Sequence, residues 1–542
     1  MTYTNLIYCD EWKSWRDSDV PETFNPTTCL LDKHLGTQNE NKIGLIVDSE
    51  SHTYSDLLAM TCRVSNGLKS LGLRPGERLL MFGTNSVEYI ATWLGAIRAG
   101  IIPIVVSDLY KSDNLLYFIN DTASVALFID EEQVYKLQNI NHKITSDLST
   151  VIIRGDNMLK GDLCSDSFQT IKFTILIADK TQVFDPVLRH RNDISYMFYS
   201  GGTTGQAKGI THLTHDFIIV PERHGEFWQY NDKDIVHATS KAYFTHGLWP
   251  GILIPLYWGA TSVISRNSPD SENIFKIIER ERVTKLITVP TVIKSLITWA
   301  EEGNKIPKMN SISLVVSASE KMPPEVFEKF DYLFGLEILD SIGSSEVTYE
   351  WIANRPKDFK RGSLGKPVFG VSIKLIDDNG DEITKPNISG ECWVKSQTAC
   401  FFYWRKYDKS RETFIGSWTR TGDTLFFDED GFFWFSGRSD DVFKVRGLWV
   451  SPIEVEGAIT EHKSVLEAAV IPSDNIEGLT VPKAFVVVRQ GQKADENLIT
   501  ELKKLVRKIG GYKIPEEIVF VDDLPRTTLM KIDRRTLREL NK

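Results

Sequence analysis

Apolar and polar positions along the chain repeat a cycle of buried strand, polar turn and amphipathic helix. Arg78-Leu79-Leu80-Met81-Phe82 reads as a buried strand, Gly83-Thr84-Asn85 as a turn, and Ser86 as the cap of a helix running to Ala99. Gly100 ends that helix, and Ile101-Ile102-Pro103-Ile104-Val105-Val106 is the next strand. A second cycle predicts a helix over 112–119 and a strand over 124–130. Ile194-Ser195-Tyr196-Met197-Phe198 alternates as a half-buried strand does. Later, Lys285 to Val289 leads through Pro290 into a helix, and Leu314 to Ser317 and Leu336 to Leu339 are further strands. Such alternation predicts an α/β fold, mostly parallel sheets covered by helices. Functional loops then gather at the C-terminal ends of the strands.

The pattern changes after about Gly370. Shorter strands are divided by the acidic, glycine-ended turns Asp377-Asp378-Asn379-Gly380 and Asp428-Glu429-Asp430-Gly431, which predicts a β-rich subdomain. Beyond Arg438-Ser439-Asp440-Asp441 the chain has strands of its own, Ala468 to Ile471 and Ala484 to Val488, with helices between them. The expected organisation is a large N-terminal α/β domain over 1–438 and a small α+β domain over 439–542.

Composition bounds the function classes. The 542 residues are 42% hydrophobic and 25% charged, enough for a sizeable core and more than one domain. A net charge of −10 argues against nucleic acid as the main partner. An anionic ligand must then be held by local donors and not by the overall field. Six scattered cysteines without a C-x-x-C suit a reducing compartment, and the cytoplasm is the expected location. Met1 to Asn5 lacks a basic segment followed by an apolar one. The apolar stretch Ile252 to Ile264 is too short, and too broken by Pro255 and Gly259, to span a bilayer.

The most informative segment is Tyr199-Ser200-Gly201-Gly202-Thr203-Thr204-Gly205-Gln206-Ala207-Lys208-Gly209. It carries four glycines, three serine or threonine hydroxyls and a lysine directly after a predicted strand. Glycines let backbone amides curl around an anion, hydroxyls add donors, and the lysine supplies a point charge. Those are the needs of a triphosphate. The loop is neither a Walker loop nor a dinucleotide fingerprint, since neither spacing is present.

Other polar clusters fall where predicted strands end. Asp340-Ser341-Ile342-Gly343-Ser344-Ser345-Glu346 offers a carboxylate suited to Mg²⁺, and Ser-Ser-Glu is equally a helix cap. Trp418-Thr419-Arg420-Thr421-Gly422-Asp423 offers a carboxylate after a tight turn, suited to ribose hydroxyls or simply to a surface. Gly437-Arg438-Ser439-Asp440-Asp441 reads alone as a charged linker, and Lys531 alone as a solvated lysine.

Taken together and in this order, the clusters resemble the superfamily of adenylate-forming enzymes: acyl- and aryl-CoA ligases, adenylation domains of peptide synthetases and firefly luciferase. The resemblance runs from Thr53-Tyr54-Ser55-Asp56-Leu57 to Lys531 and is specific, with at least five motifs at family-like separations. Within the superfamily the chain looks most like benzoate-CoA ligases. The carrying segments are Glu337 to Glu346, Gly437 to Asp441, Lys444-Val445-Arg446-Gly447-Leu448-Trp449 through Glu456, and Val521-Asp522-Asp523-Leu524-Pro525.

The resemblance implies a two-step reaction with ATP, Mg²⁺ and CoA. A carboxylate attacks the α-phosphorus, giving an acyl-adenylate and pyrophosphate, and a thiol then displaces AMP. It implies that Ser200, Gly201, Gly202, Thr203, Thr204, Gly205 and Lys208 wrap the phosphates, with Thr204, Glu346 and Lys531 as catalytic groups and Glu346 on the metal. Asp340, Ser341, Ile342, Gly343, Ser345, Asp423 and Arg438 line the nucleotide site. Asp440 is the hinge, and Lys444, Arg446, Gly447 and Trp449 face the thiol. Ala207, Gly201 and Met530 stand where the family usually has proline, a hydroxyl residue and glycine.

For the acid pocket the resemblance implies Tyr243, Phe244, Thr245, His246, Gly247, Ser317, Ala318, Ser319, Asp340, Ser341 and Tyr349. His246 and Ser341 replace the tyrosine and glycine usual in benzoate-CoA ligases. The imidazole and hydroxyl suit a benzoate with a hydroxyl or amino substituent, although His246 has an alternative structural reading, bonded to backbone. The partners implied are an aryl acid, ATP and CoA, with no nucleic acid and no membrane, and the chain is a monomer or homodimer. The alternative is a stand-alone enzyme loading the phosphopantetheine arm of a carrier protein. A second alternative is a nucleotide-binding protein without catalysis. The four charged residues Glu346, Asp423, Arg438 and Lys531 argue against it.

Overall fold

Caps and glycine turns decide where the helices begin and end. Ser86 Oγ accepts the Tyr89 amide at 3.0 Å and opens the helix Val87–Arg98, buried on almost every side. Arg98, at its end, grips Asp32 with two bonds of 2.8 and 2.9 Å. Gly100, at φ +72°, then turns the chain into the strand Ile102–Val106, where its Cβ-less backbone avoids the left-handed penalty. The structure is a computed structural model that describes residues 19–155, 168–200, 206–319, 322, 324–438, 441–445, 448–475, 479–527 and 532–540.

The chain divides into two units, the first comprising 1–200, 207–373 and 394–419. It holds an eight-stranded and a nine-stranded sheet. The eight-stranded sheet runs in the order Tyr403–Trp404, Lys208–Leu213, Ile194–Ser200, Ile102–Val106, Arg78–Phe82, Ala126–Asp130, Thr150–Arg154, Gln169–Lys172. It is parallel from Ile194–Ser200 onwards. In the nine-stranded sheet, Ile338–Gly343, Leu314–Ser317, Lys285–Thr288, Ile235–Ala238, Thr261–Ile264 and Ile43–Val47 are parallel neighbours. Antiparallel strands close both its edges. The α/β prediction therefore holds, and the helices Ser271–Glu281, Pro290–Glu301 and Pro324–Phe334 pack an apolar core with its parallel strands.

Two of the element boundaries that differ from the sequence reading bear on the site. The strand predicted to stop at Leu339 continues through Asp340 and Ser341 to Gly343. Both polar residues are buried, and their backbone and hydroxyl groups find distant partners that a local pattern does not reveal. Asp423 likewise lies inside the strand Trp418–Phe427, not after a turn, with Gly422 at φ +71° kinking the strand one residue earlier.

The second unit comprises 201–206, 374–393 and 420–542. Its sheet pairs Val465–Asp474 antiparallel with Thr480–Val488, which runs parallel to Glu517–Phe520. The helices Pro452–Thr460 and Glu496–Ile509 cover it, their Val455, Ile459, Leu498, Leu502 and Val506 buried in one core. Both acidic turns share one device. Asp377 Oδ1 accepts the amides of Asn379 and Asp381, and Asp428 Oδ1 those of Asp430 and Phe432. The C-terminal helix Arg534–Leu540 is tied down by charge. Arg534 Nη2 donates to both Glu456 oxygens at 2.8 Å, and Arg538 Nη2 to Asp441 Oδ1 at 2.8 Å.

Candidate active site

In the first unit the predicted polar groups gather at the C-terminal ends of the parallel strands. Ser200 ends the strand Ile194–Ser200, and Lys208 opens its antiparallel return directly opposite it. Five members of the phosphate loop, Gly201, Gly202, Thr203, Thr204 and Gly205, lie outside the described residues, as do Asp440, Arg446, Gly447 and Lys531.

Lys208 and Glu346, predicted from separate motifs, meet at one tyrosine. Tyr403 O–H donates to Glu346 Oε1 at 2.9 Å, and Lys208 Nζ stands 4.9 Å from the centre of the same ring. Burial, together with the nearby Glu346 charge, pushes the Tyr403 hydroxyl up from its usual range, so it remains a donor. Glu346 sits on the short helix Ser345–Val347, and its own carbonyl accepts the Cys400 amide at 2.7 Å. Beside it, the Ser344 hydroxyl is buried with no protein partner. Gly343 is required here, because a Cβ would strike Glu350 and the Tyr349 carbonyl.

Mg²⁺ fits this donor set. It keeps much of its water and is held by one or two carboxylates plus substrate phosphates, so a single glutamate suffices. Among the described residues no group of three or more His, Cys, Asp or Glu could hold a metal alone.

The acid-pocket segments lie on neighbouring strand ends. Phe244 caps the short helix Thr245–Leu248, and Ser317, Ala318 and Ser341 are buried on adjacent parallel strands or just past them. Ser319 takes φ +79°, a strained value for a serine. His246 follows the structural alternative, bonded to backbone. Its Nε2 donates to the Thr288 carbonyl at 3.0 Å and its Nδ1 lies 3.1 Å from Glu350 Oε1. Ser341 Oγ donates to the Ser317 carbonyl at 2.9 Å. Both polar groups assigned to a ring substituent are thus engaged within the protein. Tyr349, 6.0 Å from the His246 ring centre, is buried and its hydroxyl has no protein partner. Asp340 is equally buried, which pushes its carboxyl well above the usual carboxylate range, and its Oδ1 has no partner.

Packing at this turn is tight. A Cβ on Gly247 would run into the Lys241 carbonyl. Gly247→Ala is expected to lower stability by about 1–3 kcal/mol, read as a fall in urea midpoint. An unchanged midpoint would mean that the turn gives way freely.

In the second unit, Asp423 and Arg438 face each other across the hairpin of Trp418–Phe427 and Phe433–Arg438, with Arg438 Nη1 donating to Asp423 Oδ1 at 2.6 Å. Lys444 lies opposite Trp449 in the hairpin Phe443–Val445 and Leu448–Val450, and its Nζ donates to Asp378 Oδ2 at 2.7 Å. The sequence reading missed Tyr403, Glu350 and the buried pair His212 and Asp216. The one sequence signal for that pair is its i,i+4 spacing immediately after the phosphate loop.

Residues 32–404 match the AMP-binding enzyme family, and residues 454–531 match the AMP-binding enzyme C-terminal domain. The chain belongs to the AMP-binding enzyme family. It is 33% identical over 524 residues to a benzoate–CoA ligase of Thauera aromatica, covering 96% of each chain. It is 32% identical to a 4-hydroxybenzoate–CoA/benzoate–CoA ligase of Rhodopseudomonas palustris, covering 95% of this chain and 94% of that one. Among solved structures it is similar to the anthranilate CoA ligase AuaEII in complex with anthranoyl-AMP. There the TM-score is 0.89 at 31% identity, over 97% of this chain and 99% of that one. This family member is an AMP-forming acid–thiol ligase that uses ATP, Mg²⁺ and CoA. Among the described residues no helix is long and apolar enough to cross a membrane.

Proposed function

We propose that the enzyme activates a benzoate-type acid bearing a hydroxyl or amino group, and passes the acyl group from AMP to the thiol of CoA. The buried, partnerless Tyr349 hydroxyl beside His246 and Glu350 is the observation that carries this reading. An unpaired hydroxyl in an aromatic wall favours a ligand that brings its own polar group. His246 and Ser341, engaged with protein oxygens, then shape the wall and orient their neighbours. Glu346 holds Mg²⁺ on the phosphates, Thr204 and Lys208 bind them, and Asp423 with Arg438 takes the ribose. Lys531 bridges carboxylate and α-phosphate, and Asp440 is the pivot of the residues that follow it. The free cysteines Cys29, Cys62, Cys392 and Cys400 suit a cytoplasmic enzyme, active as a monomer or homodimer.

A panel of benzoic acids with ATP and CoA tests the reading, following pyrophosphate, AMP and acyl-CoA. Hydroxy- or aminobenzoate is expected to exceed plain benzoate by roughly tenfold or more in kcat/KM. Tyr349→Phe is expected to erase most of that margin while leaving plain benzoate nearly unchanged, and His246→Tyr with Ser341→Gly to shift preference toward benzoate. A wild-type preference for benzoate or for a fatty acid would sink this account of the pocket. Pyrophosphate without acyl-CoA would point to a carrier protein as the acceptor. The ion pair of Lys444 with Asp378 leaves the CoA assignment resting on the named CoA ligases among the relatives.

A further inference from the structure

We propose that His212 and Asp216 are positioning residues that clamp the Ser344–Thr348 turn so that Glu346 presents its carboxylate to the metal. The inference rests on the reading of Glu346 as the Mg²⁺ group. His212 lies on the strand Lys208–Leu213, the return arm of the phosphate loop, and Asp216 opens the helix Asp216–Phe227. Both side chains are 1% exposed. His212 Nε2 donates to the Ser345 carbonyl at 2.8 Å, fixing the peptide that immediately precedes Glu346. Its Nδ1 lies 3.1 Å from Asp216 Oδ2, which also accepts the Tyr196 hydroxyl at 3.0 Å. The Tyr196 ring stacks on the imidazole, with centres 4.8 Å apart and planes 12° apart.

The far side of the turn lies against the same pair. Thr348 takes φ +78°, a genuine outlier for a β-branched residue, and such strain persists only where neighbours enforce it. Its Oγ1 donates to the Thr398 carbonyl at 2.7 Å and lies 3.2 Å from Asp216 Oδ2 and 3.1 Å from His212 Nδ1. One buried imidazole–carboxylate pair therefore holds the residues on both sides of Glu346. Because His212 is four residues from Lys208, the same arm carries the phosphate-facing lysine and the clamp on the metal-facing glutamate.

The test is Mn²⁺ binding, followed by electron paramagnetic resonance in the full-length enzyme with an α,β-methylene ATP analogue that cannot transfer its adenylyl group. Thermal unfolding is recorded alongside. His212→Gln places an amide N–H at the Nε2 position and keeps the bond to Ser345. His212→Asn places one at Nδ1 and loses it. His212→Asn and Asp216→Asn are expected to weaken Mn²⁺ binding by about tenfold or more, as loss of an outer-sphere partner does, with His212→Gln close to wild type. Equal weakening in the Gln and Asn variants, or a lower melting temperature with unshifted Mn²⁺ binding, overturns the clamp. Glu346→Gln separates the two readings. If it weakens Mn²⁺ binding while His212→Asn does not, the clamp fails and the metal assignment stands. If neither shifts it, the metal assignment fails and the clamp with it.

Discussion

Alanine in place of Lys531 is expected to lower acyl-adenylate formation by roughly two to three decades, about 3–4 kcal/mol, while largely sparing thioester formation from supplied adenylate. Negative charge gathers around phosphorus as the carboxylate attacks, and a fixed cation bridging both reactants acts most strongly at that moment. Displacement of AMP by a thiol has no such need of it. Lys531 lies outside the described residues, so its role rests on the family resemblance and on its place in the matched C-terminal domain, residues 454–531. Pyrophosphate exchange measures the first half-reaction, and acyl-CoA release from synthetic aryl-adenylate the second. Equal losses in both would show that Lys531 is not the lysine of the first step. Met530, where the family usually has glycine, would then be the place to look.

Acidification from pH 7.5 to 5 is expected to cost the first unit about 4 kcal/mol of stability through two buried histidines. His224 and His237 are 1% and 2% exposed. Burial pushes the first down to about 3, with Arg223 adding repulsion, and the second down to about 4. Their unfolded counterparts take up protons near 6.5. Between that value and 4 the unfolded chain binds more protons than the folded one, so stability falls as pH falls. Each histidine contributes roughly 1.4 kcal/mol per pH unit, and neither contributes above 6.5. Urea midpoints at pH 7.5, 6 and 5 measure the slope. His237→Gln should remove about half of it. A slope unchanged in both His237→Gln and His224→Gln would assign the acid sensitivity to carboxylates instead.

The parallel strands and their capped helices were legible because their signals are local. Ser86 sits three residues from the amide it caps, and Gly100 stands where φ turns positive. The site was legible as a set of ingredients and not as contacts. Asp340 and Ser341 read as loop because they are polar, yet both lie in an interior strand, where Asn354 donates to the Asp340 backbone carbonyl and Ser341 Oγ donates to the Ser317 carbonyl. His246 read as either a pocket group or a structural histidine, because its partners, Thr288 and Glu350, are 42 and 104 residues away. Tyr403 joins Lys208 to Glu346 from a segment with no motif, 57 residues beyond the glutamate. Tertiary geometry chose these pairings, and no periodicity in the chain reports it.

The arginine pairs of the last helix tie three separate stretches of the second unit together. Arg538 bolts the last helix to Asp441, and Arg534 bolts it to Glu456 in the helix Pro452–Thr460. Lys531 lies three residues before that helix, and Asp441 is the first residue past the proposed pivot. If residue 440 is the pivot, a turn there carries Asp441, Glu456 and the last helix round together, as a stiff arm transmits torque. A truncation that removes 534–542 would cut that linkage and leave Asp441 and Glu456 to move without the helix that joins them.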